Sequence, residues 1–183
     1  MMLDTPRLVL RELALDDITA LNEIERDARV TRYMAYDVQS LDQTRAYIEN
    51  AVREQSAEPR RTYDLAVVAR TSDALIGRCG LGISRPEHRE ASVWYELHPA
   101  QWGRGYAGEA VAALLDFAFT TLGLHRVWAD CDPRNTASCR VVERLGLVRE
   151  GLLRENYFLK GEWCDAAIYG ILEHEWQEFR GTT

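Results

Sequence analysis

Residues 103–108 read Gly103-Arg104-Gly105-Tyr106-Ala107-Gly108 and stand directly before a run with helical periodicity. Glycines at the entry of a helix make an anion site. The first-turn amides have no intrahelical partner, the helix dipole favours negative charge, and a residue without Cβ lets the backbone approach a phosphate. Arg104 can add a cationic contact from the rim. The same letters fit G-x-G-x-x-G, and Asp130 lies 22 residues after Gly108, where a dinucleotide-binding fold would carry its acidic residue. Three features weigh against that reading. The preceding strand belongs to an antiparallel meander, residues 98–102 intervene before the first glycine, and the 53 residues after Asp130 are too few for the rest of a doubly wound sheet. A plain strand-to-helix turn is the remaining alternative.

Other chemistries find less support. Cys79, Cys131, Cys139 and Cys164 form no C-x-x-C pair, and His88, His98, His125 and His174 have no metal-ligand spacing, so no metal is expected. Lys and Arg number 22 against 29 Asp and Glu, a net charge of -7 with the basic residues scattered. A nucleic-acid surface is therefore not expected, while an acidic body suits a cationic partner or simply a solvated surface. The longest apolar stretch, residues 110–122, is interrupted by Asp116 and two threonines, which speaks against a membrane span. Residues 1–12 carry Asp4, Arg7, Arg11 and Glu12 and no apolar h-region, so the expected location is the cytoplasm. With 183 residues, 46% of them hydrophobic, one domain over 1–183 can bury a core without disulfides.

The elements that must position the glycine turn follow from periodicity. Residues 7–13 alternate as a strand, and Asp16-Asp17 cap a helix carrying Ile18, Leu21 and Ile24. Residues 41–55 place Tyr47, Ile48, Ala51 and Val52 on one helical stripe. Three strands, 62–69, 75–83 and 91–97, form a meander; in the last, Val93, Tyr95 and Leu97 share one face and Ser92, Trp94, Glu96 and His98 the other. The period then changes to 3.6 over 105–122, where Ala110, Val111, Leu114, Leu115 and Ala118 make an apolar face stopped at Gly123. Val127, Ala129 and Cys131 open the next strand, which makes a βαβ unit with parallel strands. A further helix starts near Asn135 and ends at Gly146, and residues 147–159 and 163–172 form a hairpin around Lys160-Gly161. The fold class is α/β (α+β), one sheet carrying helices.

Trp102-Gly103-Arg104-Gly105-Tyr106-Ala107-Gly108-Glu109-Ala110 resembles the acetyl-CoA pyrophosphate loop of the GNAT N-acetyltransferase superfamily, with Gly105 and Ala107 at its small positions. Trp102 stands where the strict pattern has Gln or Arg, which is the wording of the ribosomal-protein N-terminal (alanine/serine) acetyltransferase branch. Thr5-Pro6-Arg7-Leu8-Val9-Leu10-Arg11, Tyr95-Glu96-Leu97, Asn135-Thr136-Ala137-Ser138 with Leu145-Gly146-Leu147, Glu150-Gly151 and Asp165 carry the resemblance over nearly the whole chain. It implies a single mixed, mostly antiparallel sheet with a central splayed parallel pair and helices on both faces. It also implies acetyl-CoA as co-substrate and no metal, with pantetheine lying between the splayed strands near Tyr95 and Val127.

By the same resemblance Tyr95, Leu97, Trp102, Gly103, Arg104, Gly105, Tyr106, Ala107 and Gly108 bind the cofactor, and Asn135 holds the pantetheine arm while capping its helix. Ser138 matches the position near the thioester sulfur, and Tyr157 is expected on the strand facing it; either is a candidate acid. Glu96, expected half-buried beside Trp94, is the candidate base, although some members carry a carboxylate where this chain has Tyr157. Arg140, one turn before Arg144, is a candidate for the CoA 3′-phosphate. Tyr33, Tyr36, Glu155 and Trp163 are candidate walls for the acceptor. The implied activity is acetyl transfer to a primary amine by direct attack in a ternary complex, first of all to a protein N-terminus. A small amine (aminoglycoside, polyamine or amino-acid derivative) is the alternative acceptor, and a non-catalytic acyl-CoA sensor the alternative class. The hairpin's edge strands are candidates for pairing in a homodimer.

Overall fold

The computed structural model describes residues 1–181. β1 (Met2–Asp4), β2 (Leu8–Glu12), β3 (Thr62–Ala69), β4 (Ala74–Arg85), β5 (Glu90–Leu97), β6 (Arg126–Cys131), β7 (Val148–Leu159) and β8 (Glu162–Leu172) form one sheet in the order β1-β2-β3-β4-β5-β6-β8-β7. Adjacent strands run antiparallel except β5 and β6. The mixed sheet with a central parallel pair agrees with the expected fold class.

Strand alternation divides the sheet into two faces. Leu65, Val67, Cys79, Leu81, Val93, Val127, Ala129 and Ile171 pack under α4 (Tyr106–Asp116) and α5 (Thr136–Arg144), whose Ala110, Val111, Leu114, Leu115 and Val142 are fully buried. On the opposite face Ala66 and Val68 pack under α1 (Ile18–Glu25) and α3 (Leu41–Glu54) through Leu21, Ile48 and Ala51. Removing such side chains from water, at ~25 cal/mol per Å² of apolar surface, drives the layering.

The feature that makes a site is a fork. β5 and β6 pair only at Glu90↔Arg126, Ala91↔Val127 and Ser92↔Trp128, and then separate although β5 runs on to Leu97 and β6 to Cys131. Beyond Ser92 and Trp128 both strands present edges to a gap, the geometry in which an extended ligand can add as a strand.

Three elements were not expected. β1 is only three residues long and is defined by its partner, with Met2 opposite Arg11. α2 (Ala28–Thr31) is a single turn capped by Asp27, whose carboxylate accepts from the Arg29 amide. α6 (Glu173–Gly181) has Trp176 as its buried residue and no wide apolar stripe; the Trp176 indole donates to Asp116 Oδ1 at 2.9 Å. The helix expected over 105–122 is α-helical to Asp116 and becomes a π-helix at Phe117–Thr121, with the Leu122 amide bonding to the Phe117 carbonyl.

Candidate active site

The glycine turn is built as an anion seat. Gly103 and Gly105 hold φ of 74° and 79°, values open to glycine without strain, and Gly105 is the N-cap of α4. No side chain caps this helix, and the Glu109 amide bonds to the Gly105 carbonyl, so the amides of residues 106–108 precede the first intrahelical bond. A Cβ at Gly103 or Gly108 would meet nothing within 4 Å, so the space in front of the turn is not filled by the protein's own atoms. These are the features a pyrophosphate requires, and the turn fits that group.

A support behind the turn was missed in the sequence. Arg7 donates from Nε to Glu109 Oε2 at 2.6 Å and from Nη1 to the Arg104 carbonyl at 2.9 Å, and its guanidinium lies 4.7 Å from the centre of the Tyr106 ring. Thr5 Oγ1 donates to the other Glu109 oxygen at 2.6 Å. Burial raises the Glu109 pKa, but these donors outweigh it and hold the carboxyl below its ordinary range. Thr5-Pro6-Arg7 was visible as a motif; its partner about a hundred residues away was not. Trp102 joins the turn to β5 by donating from its indole to the Leu97 carbonyl at 2.8 Å.

At the fork, Ser138 comes up from α5 on the α4–α5 face. Its hydroxyl shares a hydrogen bond with the Tyr95 phenol at 2.8 Å and lies 3.4 Å from Cys131 Sγ. Tyr95 thus reaches from β5 across the gap, and burial raises its pKa well above the phenol range, so it stays protonated. Asn135 Oδ1 accepts from the Ser138 amide at 3.2 Å, the expected cap, and this helps set the Ser138 backbone. Sequence placed Tyr95 at the cofactor by its strand; its phenol as the partner of Ser138 was not anticipated.

The α1–α3 face holds a buried polar cluster. Arg78 on β4 is the register partner of Glu96 and donates to it from Nε at 2.8 Å. Tyr36 donates to the other Glu96 oxygen, Tyr47 donates to Asp64, and Thr44 donates to Glu25 Oε2 at 2.6 Å. Glu25 and Asp64 lie 3.4 and 3.7 Å from the same guanidinium. Three carboxylates therefore share one cation, and burial raises the pKa of both Glu25 and Asp64. Trp94 lies over Gly80 and Gly82, where a Cβ would come within 2.3 and 3.1 Å of its ring.

Several expectations need correction. Glu96 is 4% exposed rather than half-buried, because Arg78 draws its carboxylate toward β4 and Tyr36 covers it. Tyr157 does not face Ser138: its phenol donates to Asp130 Oδ2 at 2.9 Å, and Asp130 alternates on β6 with Cys131, which touches Ser138 from the other face. Arg140, the 3′-phosphate candidate, lies about 200° around α5 from Ser138, at ~100° per residue, and lines a cavity with Cys139, Glu143, Arg149 and Tyr169, a position that neither brings it to the sulfur nor contradicts a contact at the far end of the cofactor.

The proposed acceptor walls come partly together. The Lys160 ammonium donates to the Thr31 carbonyl, so the β7–β8 hairpin tip meets α2. Tyr36 lies on Glu96, whereas Tyr33 stacks with Arg32, its ring centre 5.2 Å from the guanidinium carbon. Trp163 is 60% exposed and packs edge-on against Phe158. Glu155 has φ of 50° within an irregularity of β7, where its amide donates to Asp165 Oδ1 at 2.8 Å. Among the described residues no group of three or more His, Cys, Asp or Glu is placed to hold a metal, and no helix is long and apolar enough to cross a membrane.

Comparison with known proteins agrees with this architecture. The family model described as acetyltransferase (GNAT) domain matches residues 7–148. The uncharacterized N-acetyltransferase p20 of Bacillus licheniformis is 33% identical over 173 residues, covering 94% of this chain and 96% of that protein. Spermidine N(1)-acetyltransferase of Vibrio cholerae is 26% identical over 171 residues, 93% of this chain and 95% of that protein. The crystal structure of a GNAT-family acetyltransferase from Bacillus anthracis superposes with a TM-score of 0.85 at 29% identity, covering 95% of this chain and 99% of that one.

Proposed function

The chain belongs to the acetyltransferase (GNAT) family, and from that premise we propose that it acetylates the primary amine of a protein N-terminus by direct attack in a ternary complex. It is an N-acetyltransferase that uses acetyl-CoA. When bound, acetyl-CoA supplies the acetyl group as an activated thioester. The observation that carries the reading is the fork itself, with the glycine turn at the start of α4 and the exposed Asp130 carboxylate at its mouth on the other face.

The roles follow from position. The amides of residues 106–108 and Arg104 hold the pyrophosphate, and the free edges of β5 and β6 hold the pantetheine arm, with Asn135 beside it. Ser138, polarised by the Tyr95 phenol, donates toward the sulfur as the thiolate leaves. The Thr31–Lys160 contact ties the β7–β8 tip to α2 on the side from which the amine would approach. Near pH 7 an α-amine with a pKa of about 8 is mostly protonated, and nearby carboxylates attract it while stabilising that charged form, so a proton acceptor is required before attack. A polyamine is the second reading, favoured by the net charge of -7, since an acidic body suits a polycationic acceptor.

We read residues 1–183 as one catalytic unit working in the cytoplasm, where the four free thiols would persist. A second copy would pair on β7, the edge strand, which exposes Val148, Leu152, Leu153 and Phe158. Ultracentrifugation should show Leu152→Glu shifting a dimer to monomer; a parent that sediments as a monomer removes this contact. For the activity, calorimetric titration should show micromolar acetyl-CoA binding and none for NADH, and thiol release should follow addition of a Ser-initiated peptide. Release with spermidine alone would transfer the assignment to the second reading, and release with neither would refute transfer to this class of amine.

A further inference from the structure

Asp130 is the acidic residue that the dinucleotide reading would have used and that the acetyltransferase reading leaves without a role. Its position is specific. Trp128 is the last residue of β6 paired with β5, and Asp130 is the next β6 residue on the α1–α3 face, at the mouth of the fork. It is exposed, its Oδ2 accepts from Tyr157, and its Oδ1 accepts no hydrogen bond from the described residues. Glu96, on the opposite strand, has one oxygen on Arg78 and the other on Tyr36, so both of its oxygens are already engaged on the β4 side.

We infer that the Asp130 carboxylate, held by Tyr157, takes the first proton from the ammonium group of the acceptor. The inference rests on the amine-acetylation reading above. In the balanced reaction the ammonium carries three protons and the amide product keeps one. One proton goes to Asp130 before attack and is then lost to solvent. The nitrogen lone pair forms the C–N bond, the C–S bond breaks, and the second proton passes to the departing sulfur on the Ser138 side. The two faces of the fork thereby divide the two proton transfers. The Tyr157 phenol is a donor in this arrangement: burial and then the neighbouring Asp130 charge raise its pKa, so it keeps its own proton. The titratable group that touches Asp130 is the Tyr157 phenol from β7; Glu96 on the facing strand β5 is turned onto Arg78 and Tyr36, and the Cys131 thiol beside Asp130 is on the other face against Ser138.

The test compares the parent with Asp130→Asn and Tyr157→Phe on the acceptor that the parent acetylates, a Ser-initiated peptide or spermidine. Asp130→Asn should lower kcat/KM about a hundredfold at pH 7, with acetyl-CoA affinity by calorimetry within twofold of the parent. The loss should shrink as pH rises through the acceptor's own pKa, about 8 for an α-amine and about 10.4 for a lysine-like amine, because an amine already neutral needs no base. Tyr157→Phe, which leaves the carboxylate in place, should lose about tenfold. A loss for Asp130→Asn that is the same at every pH would overturn the inference and leave Asp130 a structural tie between β6 and β7. Parent-like turnover would overturn it too. A parent that binds acetyl-CoA but acetylates neither acceptor overturns the functional reading itself, and this inference with it.

Discussion

The two faces of the fork reach their chemistry by opposite routes. On the α4–α5 face the groups that meet the cofactor are carried mainly by two short contiguous segments, the glycine turn at 103–108 and Asn135 to Ser138, each placed by the start of a helix, with Tyr95 joining from β5. On the α1–α3 face the polar groups come from separate parts of the chain. Glu25, Tyr36, Thr44, Tyr47, Asp64, Arg78 and Glu96 meet around one guanidinium. A helix start is a local device that positions a ligand by its own backbone, whereas a buried charge cluster exists only when distant segments have packed. The contrast extends to neighbours in sequence: Tyr95 and Glu96, like Cys131 and Asp130, are sent to opposite faces by the alternation of a strand.

The comparison can be broken most directly at Arg78. Arg78→Met should cost ~3–5 kcal/mol by leaving buried carboxylates without their cation, seen as a lower urea midpoint, while the folded fraction still binds acetyl-CoA. Parent-like stability would mean that the cluster is not what holds that face. Ser138→Ala should lower kcat about a hundredfold with little change in acetyl-CoA affinity, and equal turnover would remove the hydroxyl from the reaction. Gly105→Ala should weaken acetyl-CoA about tenfold, or ~1.4 kcal/mol, and cost ~1–2 kcal/mol of stability because an L residue is strained at that φ. Full affinity in that variant would show that the turn is not the phosphate seat.

The smallest effect is one of sign. Burial raises the pKa of Glu25 in the folded state, so the stability it contributes is present below the unfolded value of about 4.3 and is lost as pH rises through the folded value. Glu25→Gln should therefore gain on the parent as pH increases. The Glu109 carboxyl, despite burial, is held low by Thr5 and Arg7, so its contribution is present above about 4.3 and fades as pH falls through the lower folded value. Glu109→Gln should lose on the parent at neutral pH and converge with it in acid. Thermal midpoints across pH 3 to about 8 measure both, and parallel curves for the two variants would erase the distinction between the faces.

Much of this was legible before any coordinates. Period 2 followed by period 3.6 located the meander, α4 and the parallel return strand, since those elements bury wide apolar faces. β1 and α6 escaped because a three-residue edge strand and a helix burying little beyond Trp176 carry almost no periodic signal. Tyr157 was placed by its strand alone, because the partner its phenol reaches depends on how β7 pairs with β8 and β8 with β6, which no count along the chain reveals.

By itself the sequence determined the glycine turn, the capped Asn135 helix and where the strands from β2 to β8 lie along the chain, because each depends on backbone conformation and burial within a few consecutive residues. The tertiary structure alone decided that Arg7 supports the turn, that Tyr95 joins Ser138, that Arg78 engages Glu96 and that Asp130 stands with Tyr157 at the fork. Those pairings join side chains far apart in the chain, and their distances exist only after the sheet has set its register and the helices have packed upon it.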